Sequence, residues 1–503
     1  MKYSSKIGAA ALLIASATLG LAGCNTQTME PANKQAASSM TGAAAMACPT
    51  LGWAEMMITY ADKGAKLPVE FSATASDCDV HEWSWEAFTW ATAMEGGKPR
   101  FMQLHTMEEL AADYAPRKGG LMRVIARSSK AHSLPHEEYA AAFTEADGSM
   151  LVGQNGYPVY ATVHMNDSYF RTVRQNMIKT GAYQRNAGKD VAPPAGQACD
   201  EADDRYFFRC GAAVFKATWY RLADGEKPPE GAYHTVAEVP VLANRCDEGG
   251  CVAVATDKHV QARVALVGLH VAGYVEHHPE FLWATFEHHR NAPSVPDGTF
   301  AFDGRTIEED YTFYKAGTPF TKDKVLVPNQ PANSNDPALL TFHEETQTFS
   351  PVTQVVQMNR TGGENHADGA ANIESLNAGA RAELRGQNSW AASYFLLGTV
   401  WMKPDWFTAD NPEITSKTFK WQNHVRGSAA LANTTAETFM QAPSSPGNPD
   451  TMNCFDCHNP QSYSYSGKPM PNRRVAISHM LAVDTPFAVP NKMPVKDKGS
   501  LGQ

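Results

Sequence analysis

The sequence predicts an α+β fold, with a large body that contains an antiparallel sheet and a small, mainly α segment at its C-terminal end. Four segments in the middle of the chain are rich in β-branched and aromatic residues and are separated by turn residues. Apolar residues recur at helical spacing before and after this region. Helices and strands that are grouped in this way are typical of α+β proteins. The four strand segments are 211–222, 232–242, 260–275 and 280–289.

The segment from Val264 to Val275 is almost wholly apolar, which predicts the central strand of the sheet. Residues 211–222 alternate in polarity, as expected of a strand with one buried face. Two further strands are predicted, at 352–358 and at 392–402.

Four further segments have apolar residues at helical spacing and are predicted to be helices. Near the start of the chain, Trp83, Ala87, Trp90 and Ala91 share one predicted helix face, which is typical of a core helix. Asp167 would place its carboxylate near the N-terminus of the second helix. The four segments are 81–91, 168–180, 373–386 and 428–440.

The composition is that of a globular protein with a sizeable core. Of the 503 residues, 43% are hydrophobic and 19% are charged, and the formal net charge is −10. Because phosphate binding requires a basic face, nucleic acid is excluded as the expected partner. An acidic surface instead suits a basic protein partner.

The N-terminus predicts export and lipidation. Lys2 and Lys6 precede an apolar run over 7–19, and Leu-Ala-Gly then stands before Cys24. The run is too short for a spanning helix and resembles a bacterial lipoprotein signal, which implies an acylated Cys24 as the mature N-terminus. Asn25, in place of Asp, favours the outer membrane by the same resemblance. The alternative is an ordinary signal peptide followed by a chance cysteine.

The cysteines predict a disulfide framework. Besides Cys24 and a C-terminal pair, six of the nine cysteines remain, an even number that is typical of exported proteins. Closeness in sequence favours two of the pairs and leaves the third by elimination. The pairs are Cys246–Cys251, Cys199–Cys210 and Cys48–Cys78. A metal site is the alternative, although none of these pairs has the two-residue spacing that is typical of zinc.

Near the C-terminus stands the motif Cys454-Phe455-Asp456-Cys457-His458. The pattern C-x-x-C-H indicates covalent attachment of a c-type haem. Two thiols at this spacing reach the two vinyl groups of one porphyrin, and His458 then becomes the proximal axial ligand of the iron. A thioredoxin-like pair or half of a zinc site is the alternative. A single motif predicts one covalent haem c.

Four residues that follow the motif are candidates for the sixth iron ligand. His479 lies in an apolar stretch that would line a haem pocket, and it is the first candidate. Met470 lies in a rigid loop flanked by prolines, and it is the second. Met480 and Met493 also qualify, and an open position would turn a carrier into a catalyst.

Several segments resemble an uncharacterised group of bacterial exported proteins of the cytochrome c family. They are WEAFTWA near the start, VGLHV at 267–271, LWATFEH at 282–288, GSAALANTTAETF at 427–439, CFDCH, and ISHM near the end. The resemblance implies haem binding and electron transfer, supplies no substrate, and supports His479 through the closing Ser-His pair.

Histidines also cluster in the middle of the chain, and they raise the alternative of a metal or catalytic site. Because successive strand residues point to opposite faces, His288 and His289 are expected not to serve one site. His270, with apolar neighbours on both sides, is expected to be buried and therefore paired or functional. The histidines are His270, His277, His278, His288 and His289.

Together these features predict a signal peptide (1–23), a flexible tether (24–47), a large α+β domain (48–425) and a haem-binding segment (426–503). The expected function is electron transfer by a monohaem lipoprotein that faces the periplasm, with a redox partner protein. A haem-assisted oxidoreductase whose large domain binds a small molecule is the alternative. A surface binding protein with a secondary haem is the third reading.

Overall fold

The structure is a computed structural model, and the account below concerns the residues that it describes. These are 48, 52–110, 122–124, 150–176, 198–201, 208–247, 250–295, 301–325, 340–357, 369–402, 425–428, 431–434, 436–438, 454, 463–465 and 468–470.

The described residues form fifteen β-strands, of which nine make one large sheet. In chain order the strands are β1 (Met94–Glu95), β2 (Lys98–Pro99), β3 (His105–Thr106), β4 (Met122–Arg123), β5 (Val159–Met165), β6 (Ala213–Arg221), β7 (His234–Asp247), β8 (Gly250–Val275), β9 (His278–His288), β10 (Thr341–His343), β11 (Thr348–Ser350), β12 (Tyr394–Met402), β13 (Val425–Gly427), β14 (Tyr463–Tyr465) and β15 (Lys468–Met470).

The main sheet has the strand order β13-β12-β9-β8-β6-β5-β3, and β7 pairs with the outer part of β8 and with β4. Its pairs are antiparallel except for β4 with β7. The long strand β8 pairs with β6, β7 and β9, so the apolar segment from Val264 to Val275 lies at the centre of the sheet. The antiparallel sheet predicted from the sequence is therefore confirmed.

Three of the four described α-helices cover one face of the sheet, which we call the helix face. Trp85 and Phe88 pack there against Phe286 of β9, and Tyr394 of β12 lies beside Phe88. Gly273 of β8 lets the indole of Trp83 approach the strand closely. The helices on this face are α1 (Trp53–Ala61), α2 (Asp77–Thr92) and α4 (Gly369–Gly386), whereas α3 (Asp167–Asn176) packs elsewhere.

The helix α2 begins at a capping box. The hydroxyl of Ser76 accepts a hydrogen bond from the amide of Asp79, and the carboxylate of Asp79 accepts one from the amide of Ser76. These bonds satisfy backbone donors that a helix start leaves without partners. The helix predicted over 81–91 is confirmed and begins four residues earlier.

The other side of the sheet, which we call the open face, is covered by irregular segments. At one end, α3 and Phe208 pack against Tyr274 and Phe281. Towards β12, residues 428–438 lie over the sheet, and the side chain of Ser428 and Leu431 approach the backbone of Gly398.

Two predicted elements are wrong. Residues 352–357 are extended but form no ladder, because Thr353, Val355 and Gln357 donate their amides to three separate loops. The described residues of 428–440 are not helical. The amide of Thr434 is bound by a buried carboxylate, and those of Ala436 and Glu437 are bound by the side chain of Asn433.

The remaining expectations differ in detail. The predicted domain boundary at 425/426 lies in β13, which pairs with β12, and the division into two domains stays a prediction. The signal peptide (1–23) and the tether (24–47) lie outside the described residues. Among the described residues, no helix is long and apolar enough to cross a membrane.

Candidate functional site

Of the five-residue motif, the structure describes Cys454 alone. Cys457, His458 and the ligand candidate His479 lie outside the described residues, as does the lipidation site Cys24. Met470 ends the short strand β15, of which the backbone is described. Cys454 and the residues around it therefore define the candidate site.

The side chain of Cys454 is half-buried and packs against an apolar cluster on the open face. We call this cluster the apolar patch, and Trp283 of β9 lies at its side. Four of its members lie on β12. Alternate residues of this strand face the patch, and a bulge between Leu396 and Gly398 shifts the alternation by one residue. The patch consists of Phe395, Leu397, Val400, Met402, Val425 and Leu431.

The residues of the apolar patch fit a porphyrin edge. A thioether at Cys454 would hold the macrocycle within bonding distance of this sulfur and therefore beside the patch. The patch offers aliphatic and aromatic surface from two strands and one loop, and burial of this kind is one of the factors that set a haem potential. Cys454 also lies outside the three disulfides of the described chain.

A second group of side chains, the polar cluster, lies beside the patch on the same face. The carboxylate of Glu437 accepts a hydrogen bond from the amide nitrogen of Asn433 at 3.1 Å, and Lys216 Nζ lies 3.5 Å from it. Nε2 of His270 is also 3.5 Å from Glu437, and Nδ1 of His270 is 2.9 Å from the hydroxyl of Thr285.

Strand register fixes the position of the polar cluster. His270 is paired with Lys216 on one side and with Thr285 on the other. In the next row of the same face, Ala272 is paired with Trp283. Because two residues along a strand span about 6.6 Å, the imidazole row lies about that far from the row of Trp283, which adjoins the patch.

Burial governs the charge of His270. Loss of solvent lowers the pKa of His270 to about 4, although the nearby carboxylate of Glu437 acts to raise it and Lys216 lowers it further. The imidazole is therefore neutral at pH 7. Its side chain is 17% exposed, as is that of Glu437, and Lys216 is 27% exposed, so protons from solvent have access to the cluster.

The buried carboxylate of Glu287 ties the covering loop to the sheet. Its two oxygens accept bonds from the amide and the hydroxyl of Thr434, each at 2.7 Å, and Gln357 donates at 3.4 Å. Asn433 then shapes the next turn by accepting from two amides, including that of Glu437. This turn presents the carboxylate of Glu437 to the strands.

The other histidines form no shared site with His270 among the described residues. The rings of His288 and His289 are 4.8 Å apart, so the expectation that they diverge is wrong, because β9 ends at His288. Burial lowers the pKa of His288 to about 3.

His278 is buried, and its Nδ1 lies 2.7 Å from the carboxylate of Glu280. The same carboxylate accepts a hydrogen bond from the backbone amide of Met402. No group of three or more metal-ligating side chains occurs in the described part of the chain.

The sequence predicted a buried His270, whereas its side chain is half-buried, and it gave no sign of the other members of the polar cluster. Lys216, Thr285 and Glu437 come from three distant segments, and strand register with the loop at 431–438 brings them together. No local spacing signals such a group.

The structure contains three disulfides. It pairs Cys48 with Cys78, Cys199 with Cys210 and Cys246 with Cys251, which is the connectivity that sequence proximity favours. Cys246 and Cys251 close the far end of the β7–β8 hairpin.

No protein-family model matches this chain, and neither a curated protein nor a solved structure matches it.

Proposed function

We propose that the protein is a monohaem c-type cytochrome that transfers electrons in the bacterial cell envelope. One haem c is attached through Cys454 and Cys457, with His458 as the proximal ligand. A lipid on Cys24 anchors the chain to the outer membrane, facing the periplasm. The resemblance to exported proteins of the cytochrome c family supports the same function.

The observation that carries this proposal is the position of Cys454 against the apolar patch. A cysteine that receives a vinyl group needs an apolar surface beside it, whereas a thiol that binds zinc needs further ligands. The motif and the surface beside Cys454 both support a porphyrin at this position.

When bound, the haem supplies a one-electron redox centre. Phe395, Leu397 and Trp283, which lie in or beside the apolar patch, would exclude water from the edge of the haem that is attached at Cys454. The distal ligand is His479, with Met470 as the alternative, and the imidazole gives the lower potential of the two. The net charge of −10 favours a basic redox partner.

A haem-assisted oxidoreductase is the second candidate, and the polar cluster favours it. A neutral imidazole beside a carboxylate and an ammonium group is suited to proton transfer. This function requires an open or exchangeable sixth position on the iron, whereas a carrier has both axial positions filled.

Optical spectra of the full chain, matured in a host that makes c-type cytochromes, test the proposal. We expect sharp low-spin bands on reduction and no change with carbon monoxide. A high-spin spectrum that changes with carbon monoxide would favour the oxidoreductase. Absence of haem absorption from the folded protein would contradict both functions.

Variants assign the ligands in the same spectra. Cys454→Ser with Cys457→Ser should abolish covalent haem, and Cys246→Ser with Cys251→Ser is the matched control because it removes a disulfide at the hairpin end. His479→Ala should alter the low-spin bands, and Met470→Ala should leave them unchanged. The reverse result would assign Met470 as the distal ligand.

A further inference from the structure

We infer that His270 and Glu437 form a proton-binding site that takes up one proton when the haem is reduced. This inference rests on the proposed function. It adds that electron transfer by this protein is coupled to a proton at a site within the sheet, separate from the iron ligands.

Position is the first argument. The imidazole row of β8 and β9 is one step along the open face from Trp283, which packs against the apolar patch together with Cys454. A macrocycle attached at Cys454 would therefore lie on the same face as His270. Charges in a poorly solvated region interact even when they are not in direct contact, since screening by water and salt is weak there.

The geometry also fits the protonated imidazole. An imidazolium ion donates from both ring nitrogens. Nδ1 of His270 has the hydroxyl oxygen of Thr285 at 2.9 Å, and Nε2 has the carboxylate of Glu437 at 3.5 Å. Both donors of the charged form therefore have an acceptor in place, without movement of the strands.

The charges that face His270 set the direction of the effect. Glu437 favours the charged imidazole, whereas Lys216 on β6 and burial disfavour it. Thr285 and Asn433, the other described members of the cluster, are neutral. The opposing influences leave the imidazole neutral at pH 7 but sensitive to one additional charge.

The coupled step is balanced as follows. One electron from an external donor reduces ferric to ferrous iron and lowers the charge of the haem by one. The lower charge raises the proton affinity of His270, and one proton from solvent binds to the imidazole. No covalent bond to carbon forms or breaks, and reoxidation returns the proton to solvent.

A redox titration at several pH values tests the inference, with dithionite as reductant and ferricyanide as oxidant. We expect the midpoint potential of the full-length protein to be constant near pH 7 and to rise as the pH falls towards the pKa of His270, which is about 4. The slope approaches about 59 mV per tenfold change in proton concentration when one proton is fully coupled to one electron. A potential that is constant over this range would overturn the inference.

Two variants assign the slope to the site. His270→Gln should reduce it while the Soret band is retained, and Glu437→Gln should move the sloping region to lower pH because the carboxylate no longer favours the imidazolium. The matched control is His343→Gln, which removes an exposed imidazole from the β10–β11 hairpin and should leave the slope unchanged.

The outcomes separate the two proposals. Should His270→Gln fail to fold, the shift in Glu437→Gln decides the inference. A slope that persists unaltered in both variants would assign the proton to another group and overturn the inference, although the haem proposal would stand. Absence of a haem spectrum would instead remove the proposed function.

Discussion

Glu287 illustrates how single residues hold the open face together. This glutamate is 1% exposed, and its carboxylate receives three hydrogen bonds from Thr434 and Gln357. A buried carboxylate is stable only when its oxygens are bonded. Glu287 therefore anchors the loop that carries Glu437.

Replacing Glu287 by Leu should destabilise the protein by about 3 kcal/mol, because an amide, a hydroxyl and a side-chain amide would lose their acceptor inside the protein. Urea unfolding measures this change. The control is Glu309→Gln, at an exposed pair with Arg290, which should cost less than about 1 kcal/mol. Equal losses in the two variants would contradict the anchoring role.

His164 gives a prediction on the dependence of stability on pH. This imidazole is 1% exposed and packs edge-on against Phe101, and burial lowers its pKa to about 4. The unfolded chain binds a proton on this residue below its ordinary pKa of about 6.5, whereas the folded protein does so only near 4. The free energy of unfolding therefore falls as the pH is lowered through this range.

In His164→Gln the free energy of unfolding should fall less steeply with decreasing pH, by up to about 1.4 kcal/mol per pH unit between pH 6.5 and 4. Urea unfolding of the variant and the unmodified chain at several pH values measures the difference. Above pH 7 the imidazole is neutral in both states, so the two slopes should agree there. Identical slopes in the acidic range would show that His164 is protonated in the folded protein.

At the scale of elements, the contact between α2 and β8 depends on a glycine. A Cβ atom on Gly273 would lie 2.6 Å from Cζ2 of Trp83, which is too close for an ordinary contact. Trp83 is also fixed by a hydrogen bond from its indole nitrogen to the carbonyl of Pro68 at 3.1 Å, so the ring has little freedom to move away.

Gly273→Ala should therefore cost about 1–3 kcal/mol of stability through overpacking. The matched control is Gly386→Ala at the end of α4, where an added Cβ meets no atom within 4 Å. Thermal unfolding compares the two variants. A loss in Gly386→Ala that equals the loss in Gly273→Ala would contradict the packing argument.

The elements of the sheet were predictable because their residues carry the required pattern. The run from Val264 to Val275 predicted the central strand, and Trp83 and Trp90 predicted α2. The helix expected at 428–440 was wrong, since the pattern contains no sign that Glu287, more than a hundred residues away, would bind the amide of Thr434. Elements defined by tertiary hydrogen bonds lie beyond local pattern.

The candidate site was predictable only in part, for the same reason. The proposed attachment points of the haem follow from five consecutive residues. The polar cluster requires the register of β6 with β8 and of β8 with β9, which the apolar pattern does not specify by residue. His270 was distinguished by its apolar neighbours, whereas Lys216 and Glu437 have the appearance of ordinary surface charges.

At the scale of the whole molecule, the proposed function requires a lipid anchor at Cys24 in addition to the proposed haem at Cys454. Cys24→Ser should release the protein from the membrane fraction to the soluble periplasmic fraction, because each buried acyl methylene contributes roughly 0.8 kcal/mol to anchoring. Fractionation followed by immunoblotting measures the change. A variant that stays in the membrane fraction would contradict lipid anchoring through Cys24.

The central claim is that one haem is bound covalently through Cys454 and Cys457. Intact-mass spectrometry of the protein purified from its own host tests this claim most directly. The account predicts a mass increase of one haem under denaturing conditions, with the modified peptide spanning both cysteines. Free thiols at both positions, or a disulfide between them, would contradict the account.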